Sequence, residues 1–181
     1  MKGRRRLVID ASVGHAAGAA TATHPVAKNC RDFLQAVLSI CHGTVFLRQL
    51  DQEWKTHASG FARTWQVAME RRQKLYWIEP PIDQELREAI AEFATSDKDR
   101  AAMEKDAFLL EAALATADRL VASGDETARA LFRALAGNVP RIGKVVWINP
   151  GLEDDSALAW LKSGAKPEPA RRLGHRPKRK G

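Results

Sequence analysis

Residues 105–131 read KDAFLLEAALATADRLVASGDETARAL, and this stretch holds the pattern that decides the fold. Its first half is rich in Ala and Leu, which is typical of a buried helix, and the short apolar run at 119–123 predicts a strand. A second helix is predicted from Glu126. Asp106 lies on the first helix and Asp125 follows the strand. The stretch therefore predicts a helix–strand–helix unit with one carboxylate on each side of its strand.

Strands and helices alternate along the rest of the chain. Short apolar runs predict strands at 6–11, 44–48, 75–78, 119–123 and 144–149. Apolar residues at helical spacing predict helices at 25–43, 51–74, 83–94, 98–117, 126–136 and 155–162, and the segment 12–23 is predicted as a loop or a weak helix. This alternation favours an α/β fold, a three-layer α/β/α sandwich around a mainly parallel sheet of about five strands.

Length and composition favour one folded domain. The chain has 181 residues, of which 45% are apolar, and this is enough for a single core. We predict one domain over 1–163 and a basic, disordered tail over 164–181. No apolar run approaches the roughly 18 residues of a membrane helix, and residues 7–9 are too short for a signal peptide. No membrane association is expected, and the expected location is cytoplasmic.

Positive charge is concentrated at the two ends of the chain. The net charge is +7, of which residues 1–6 supply +4 and residues 166–181 supply +6, so the body at 7–165 carries −3. A basic tail on a slightly acidic body favours electrostatic capture of a polyanion such as nucleic acid. A solvated tail that only aids solubility explains the same composition equally well.

The cysteine, histidine and tryptophan residues are predicted to be structural. Cys30 and Cys41 lie eleven residues apart on one predicted helix. That spacing is about 16 Å along the helix axis, which is too far for a disulfide within the helix, so two buried thiols are expected. The five histidines show no spacing typical of metal ligands, and the five tryptophans are expected mostly in the core.

Four carboxylates that are distant in sequence are predicted to meet at one end of the sheet. Asp10 ends the first strand, Asp125 follows the fourth, and Glu53 lies in the first turn of the helix after the second. Ligands of open α/β sheets bind outside the carboxyl ends of the strands. From Asp106 the helix descends about 15 Å and the following strand climbs back about 20 Å, so Asp106 and Asp125 finish at a similar height.

Clustered carboxylates raise one another's pKa, and a hard divalent cation relieves their repulsion. Oxygen ligands without a His or Cys cluster suit Mg²⁺ or Mn²⁺, and such ions support phosphodiester hydrolysis. Taken singly, each acid also has an ordinary explanation as a surface or helix-capping residue, as Asp125 has before the helix at Glu126. Asp106 fits that explanation less well because its neighbours Ala107 and Phe108 look packed.

Together these residues resemble the PIN-domain family. The pattern consists of four motifs in order: LVIDAS at 7–12, QEW at 52–54, DAFLLEAA at 106–113 and LVASGD at 120–125. The last two motifs in tandem are the more specific part, and the resemblance covers about residues 6–150.

The resemblance implies a metal-dependent endoribonuclease that hydrolyses phosphodiester bonds of RNA. It implies that Asp10, Glu53, Asp106 and Asp125 are catalytic and ligate Mg²⁺ or Mn²⁺, and that the Ser123 hydroxyl supports the site. Many members of the family are toxins that a cognate antitoxin inhibits, and many are homodimers. A protein antitoxin and a second copy of the chain are therefore expected partners beside RNA.

Three other functions stay open at this point. A nucleic-acid-binding protein would keep the fold and the acids without cutting, and a housekeeping RNA-processing nuclease would cut without an antitoxin. A receiver-like phospho-switch also places an aspartate at a strand end. That class normally has paired acids just after the first strand, and only Asp10 is present here.

Overall fold

A computed structural model describes residues 4–40 and 42–176, so the predictions for Cys41 and for residues 1–3 and 177–181 lie outside the described residues. The strands are β1 (Arg6–Ile9), β2 (Gly43–Phe46), β3 (Leu75–Trp77), β4 (Leu120–Ala122) and β5 (Val146–Ile148). They form one sheet in the order β3-β2-β1-β4-β5, and every neighbouring pair is parallel. The predicted fold class is confirmed.

Helices connect the strands and cover the sheet. They are α1 (Ala11–Ala16), α2 (Pro25–Ser39), α3 (Arg48–His57), α4 (Gly60–Arg71), α5 (Gln84–Phe93), α6 (Asp97–Leu114), α7 (Glu126–Leu135) and α8 (Ala157–Lys162). Short 3₁₀ turns follow at Ile142–Lys144 and Pro169–Arg171. The Gly/Ala/Thr-rich segment after β1 begins as the helix α1, which starts directly behind Asp10.

Side-chain oxygens fix where several helices begin. Ser96 Oγ accepts a hydrogen bond from Asp99 N at 3.1 Å at the start of α6, and Asp83 Oδ1 accepts one from Leu86 N at 3.0 Å at the start of α5. Each bond satisfies a backbone N–H that has no partner within its helix. Helix α6, which carries Asp106, then packs against the central strands β1 and β4.

The segment 51–74 is predicted as one long helix with Gly60 as its candidate bend, and the prediction of a single helix is wrong. The structure has two helices there, because the backbone of Ser59 is extended and its hydroxyl accepts a hydrogen bond from Ala62 N at 3.2 Å. This cap starts α4 as a separate helix.

The predicted start of α3 is also wrong. The helix begins at Arg48, so Asp51 lies within its first turn and is not its cap. Glu53 consequently lies in the second turn of α3 and not in the first. The shift arises because β2 ends at Phe46, two residues before the predicted strand end, and the helix follows almost at once.

The tail predicted to be disordered from Gly164 is ordered over residues 164–176. Leu173 is fully buried, and its N–H donates to Val145 O at 2.9 Å. Val146 and Arg172 form an antiparallel bridge beside it. This segment covers the outer edge of β5, where unpaired backbone groups would otherwise be exposed. Residues 177–181 lie outside the described part of the chain.

The core is built around the central strand. Leu7, Val8 and Ile9 have no exposed surface, as expected for a strand with neighbours on both sides and helices on both faces. Cys30 is buried, and burial raises the pKa of its thiol to about 11. Among the described residues, no helix has both the length and the apolar character needed to cross a membrane.

Four of the five tryptophans are in the core, as predicted, and one is not. The side chains of Trp54, Trp65, Trp147 and Trp160 are at most 2% exposed. Trp77 is 57% exposed at the end of β3, the strand at one edge of the sheet. An exposed indole is unusual, because this side chain gains much from burial.

Candidate active site

The central strand places Asp10 in the middle of the carboxyl edge of the sheet. Asp10 directly follows β1, and its N–H donates to Ala122 O of β4 at 2.9 Å. The residue is only 5% exposed. It is the N-cap of α1 by position, but its side chain makes no capping hydrogen bond, so the helix-capping explanation does not account for it.

Two hydroxyl groups hold the Asp10 carboxylate in place. Ser123 Oγ donates to Asp10 Oδ2 at 2.9 Å, and Ser12 Oγ donates to the same oxygen. The N–H of Gly124 donates to Ser12 Oγ at 2.9 Å, and the N–H of Asp125 donates to Ser123 Oγ at 3.1 Å. Each hydroxyl oxygen thus accepts a hydrogen bond from a backbone N–H, while its own proton points to the Asp10 carboxylate. From the described residues, the other carboxylate oxygen of Asp10 accepts no hydrogen bond.

Asp106 is a buried acid without adequate partners. It is 1% exposed, and within the described part of the chain its Oδ2 atom is buried without any hydrogen-bond partner. Its other oxygen lies 3.6 Å from Lys105 Nζ. Burial and the nearby charge of Asp10 raise the pKa of the Asp106 carboxyl to about 7, and Lys105 offsets part of that increase.

Asp125 has both a structural and a site role. Its Oδ1 atom accepts a hydrogen bond from Ala128 N at 2.8 Å and so caps α7, as the ordinary explanation proposes. Its Oδ2 atom lies 3.6 Å from Lys105 Nζ, the same ammonium that faces Asp106. The capping hydrogen bond at Oδ1 therefore also holds Oδ2 of this carboxylate on the side of the other acids.

Glu53 completes the group from α3. Burial raises the pKa of its carboxyl, and so does the charge of Asp10. A hollow of about 420 Å³ is lined by Asp10, Glu53, His57 and Lys105, among others. The structure thus brings all four predicted acids to one end of the sheet, close enough that Asp10, Glu53 and Asp125 each act on the pKa of Asp106.

The four acids do not form a compact ligand cluster. Over residues 4–40 and 42–176, no group of three or more His, Cys, Asp or Glu side chains is arranged to hold a metal ion. The donors are nevertheless all oxygens, which suits Mg²⁺ or Mn²⁺, and the unpartnered Asp106 Oδ2 is the kind of buried anionic atom that a cation would satisfy. The donor chemistry fits a hard divalent cation, and binding requires the side chains to draw closer together.

Two site residues escaped sequence reasoning. Ser12 lies two residues after Asp10, and Lys105 directly precedes Asp106. The sequence signals for these two residues were a serine close behind a strand-ending aspartate and a lysine next to an aspartate of an apolar helix. His15 and His57 also line the hollow, and His15 Nδ1 lies 3.0 Å from His57 O. Sequence spacing gave no reason to place these two histidines there.

Comparisons of the chain with protein-family models, curated proteins and solved structures gave no significant match. Fold and site together define a parallel α/β protein with an acidic hollow at the carboxyl edge of its sheet. The PIN-domain resemblance rests on the four sequence motifs and stays a prediction.

Proposed function

We propose that this protein is a Mg²⁺- or Mn²⁺-dependent endoribonuclease of the PIN type. The observation that carries the proposal is Asp106, a carboxylate that is 1% exposed and whose Oδ2 atom has no partner among the described residues. Burying such a group costs free energy unless something pairs with it. A site for an external cation accounts for a buried acid placed in this way.

The side chains in and beside the hollow have distinct parts in the proposed activity. Asp10, Glu53, Asp106 and Asp125 would hold the metal. A bound Mg²⁺ or Mn²⁺ supplies a polarised water and neutralises charge on the phosphate.

Two further groups prepare the site for a substrate. Ser12 and Ser123 hold the Asp10 carboxylate in one orientation through their hydroxyl protons. Lys105, whose side chain is 62% exposed, can leave Asp106 and Asp125 and bind a substrate phosphate.

The choice of RNA as substrate follows from the resemblance and agrees with the basic ends of the chain. A protein antitoxin and a homodimer are part of the same proposal. Co-purification with a small co-expressed protein, and mass measurement in solution, test these two partners separately from the cleavage itself.

Cleavage of a labelled single-stranded RNA tests the proposed reaction. We expect cleavage with Mg²⁺ or Mn²⁺, none with EDTA, and a loss on the order of 100-fold or more in Asp10→Asn and Asp106→Asn. Glu104→Gln is the matched control, because Glu104 is an exposed acid on the same helix as Asp106. Cleavage by Asp106→Asn at the wild-type rate would refute the proposed site.

A second candidate is a nucleic-acid-binding protein that does not cut. The lack of a compact ligand cluster among the described residues favours it. RNA binding that persists without any Mg²⁺- or Mn²⁺-dependent turnover, across several RNA and DNA substrates, would support this candidate over the nuclease.

A further inference from the structure

The carboxyl edge of the sheet continues past the acids to the exposed Trp77. Strand order places β3 two strands away from β1. The registers Val8↔Val45 and Phe46↔Trp77 put Trp77 one residue short of the level of Asp10. With neighbouring strands about 4.8 Å apart, the backbones of the two residues are about 10 Å apart along this edge. Trp77 and the acids therefore lie on the same side of the molecule.

The Trp77 ring is exposed but held in position. Its side chain is 57% exposed, whereas Phe46 on the neighbouring strand is fully buried. The two rings meet edge to face, with centroids 5.7 Å apart and planes at 61°. This contact fixes the indole and leaves aromatic surface open to solvent. Such surface is suited to stacking with a planar group.

Three adjoining hollows connect Trp77 with the acids. The first, of about 490 Å³, is lined by Trp77 and Arg48, among others. The second, of about 600 Å³, shares Arg48 and passes Glu53 and His57. The third, of about 420 Å³, shares Glu53 and His57 and contains Asp10. Neighbouring hollows thus share lining residues, and we call their succession along α3 the α3 path.

Arg48 supplies positive charge in the middle of the α3 path. It is exposed, lines the first and second hollows and forms no ion pair with any described residue. Asp51 and Glu79 also line the first hollow, and Asp51 is already paired with Lys55 at 2.5 Å. An unpaired guanidinium beside an exposed indole is a combination that binds a phosphate and its adjacent base.

We propose that Trp77 and Arg48 form a binding subsite for single-stranded RNA. An unpaired base stacks on Trp77, a neighbouring phosphate contacts Arg48, and the strand continues along the α3 path to the acids. Bases within a duplex are stacked on one another and cannot lie on an aromatic side chain, so the subsite selects unpaired RNA. The subsite rests on the proposed function for its substrate class, and it adds residues that the four acidic motifs do not include.

Binding of a fluorescent single-stranded RNA in EDTA tests the subsite without cleavage. We expect Trp77→Ala to weaken binding about 5- to 150-fold, and Trp77→Phe to retain most of it, because stacking contributes about 1–3 kcal/mol per base. Arg48→Gln should weaken binding and lower the salt dependence by about one phosphate contact. Val67→Ala is the matched control, because Val67 is an exposed apolar residue on α4, at 47% exposure.

The outcomes separate this subsite from the nuclease itself. Wild-type RNA affinity in Trp77→Ala would overturn the subsite, as would an equal loss of affinity for an RNA duplex. Tighter Trp77-dependent binding to single-stranded DNA than to RNA would overturn the assignment to RNA. A change of oligomeric state in Trp77→Ala would identify Trp77 as a subunit contact instead. Trp77-dependent RNA binding by a protein that never cuts would leave the subsite standing and refute the nuclease.

Discussion

Helix α6 carries two buried acids, five residues apart, in opposite surroundings. Glu111 is 7% exposed, and Arg87 donates to its two carboxylate oxygens at 2.8 and 2.9 Å. The N–H of Asp83 donates to Glu111 as well, at 3.1 Å. Asp106 is 1% exposed, and its nearest cation is the largely exposed Lys105 at 3.6 Å.

This difference separates a structural acid from a candidate ligand. The fold itself supplies the partners of Glu111, so burial of this carboxylate joins α5 to α6. The fold leaves one oxygen of Asp106 without a described partner and adds the charges of three other acids. A buried acid with complete partners belongs to the scaffold, whereas one without them indicates a site for something outside the chain.

The largest expected effect concerns the satisfied acid. Glu111→Gln removes one partner of a mostly buried pair and leaves the Arg87 guanidinium without its carboxylate. We expect the free energy of unfolding to fall by about 3 kcal/mol, measured by urea unfolding. Glu104→Gln on the exposed side of α6 is the control and should change little. If the two variants are equally stable, the ion pair does not stabilise the fold and the contrast with Asp106 fails.

A smaller effect of opposite sign is expected at the unsatisfied acid. In metal-free protein at pH 8, Asp106→Asn removes a buried charge that lies among like charges, so stability should rise by about 2 kcal/mol. Thermal unfolding in EDTA measures this gain. Added Mg²⁺ or Mn²⁺ should then stabilise the wild type and not the variant, because only the wild type has the full set of acids. If Asp106→Asn instead destabilises the protein, Asp106 stabilises the fold as Glu111 does, and the contrast between the two acids fails.

The smallest expected effect is the pH dependence of that gain. The pKa of Asp106 is about 7 in the folded protein and has an ordinary value of 3.8. The native state therefore binds a proton that the unfolded state has released between these values. Metal-free wild type should lose the same roughly 2 kcal/mol in total as the pH rises through this window, an average slope of about 0.6 kcal/mol per pH unit. The stability of Asp106→Asn lacks this pH dependence, so the difference in stability between the variant and the wild type should shrink towards pH 4. Parallel pH profiles of wild type and variant would contradict the assignment.

The sequence was sufficient to predict the fold class and the placement of the four acids at one end of the sheet, but among the described residues these acids do not form a compact ligand cluster. Alternating apolar runs determine a parallel sheet, and residues that follow its strands share one edge. The pattern does not distinguish Asp106 from Glu111, since both lie in the same apolar helix. The difference between them comes from Arg87, a residue of α5 that only the packing of the helices brings to Glu111.

Other features depend on contacts between distant parts of the chain. Residues 164–176 are polar and basic, and their order comes from one buried leucine, Leu173, and from pairing with β5. The exposure of Trp77 follows from the position of β3 at the sheet edge, which a strand pattern of three residues does not reveal. Lys105 meets Asp125 only after β4 returns to the same edge.

The central position of β1 also sets when the site can exist during protein synthesis. Asp10 is made early, but Ser123, which holds its carboxylate, lies 113 residues further along the chain. At about 5–20 residues per second, that interval takes roughly 6–23 s. A growing chain that has completed only β1, β2 and β3 contains Asp10 and Glu53 without Asp106 or Asp125. Any activity of the hollow therefore begins only after most of the chain has been translated.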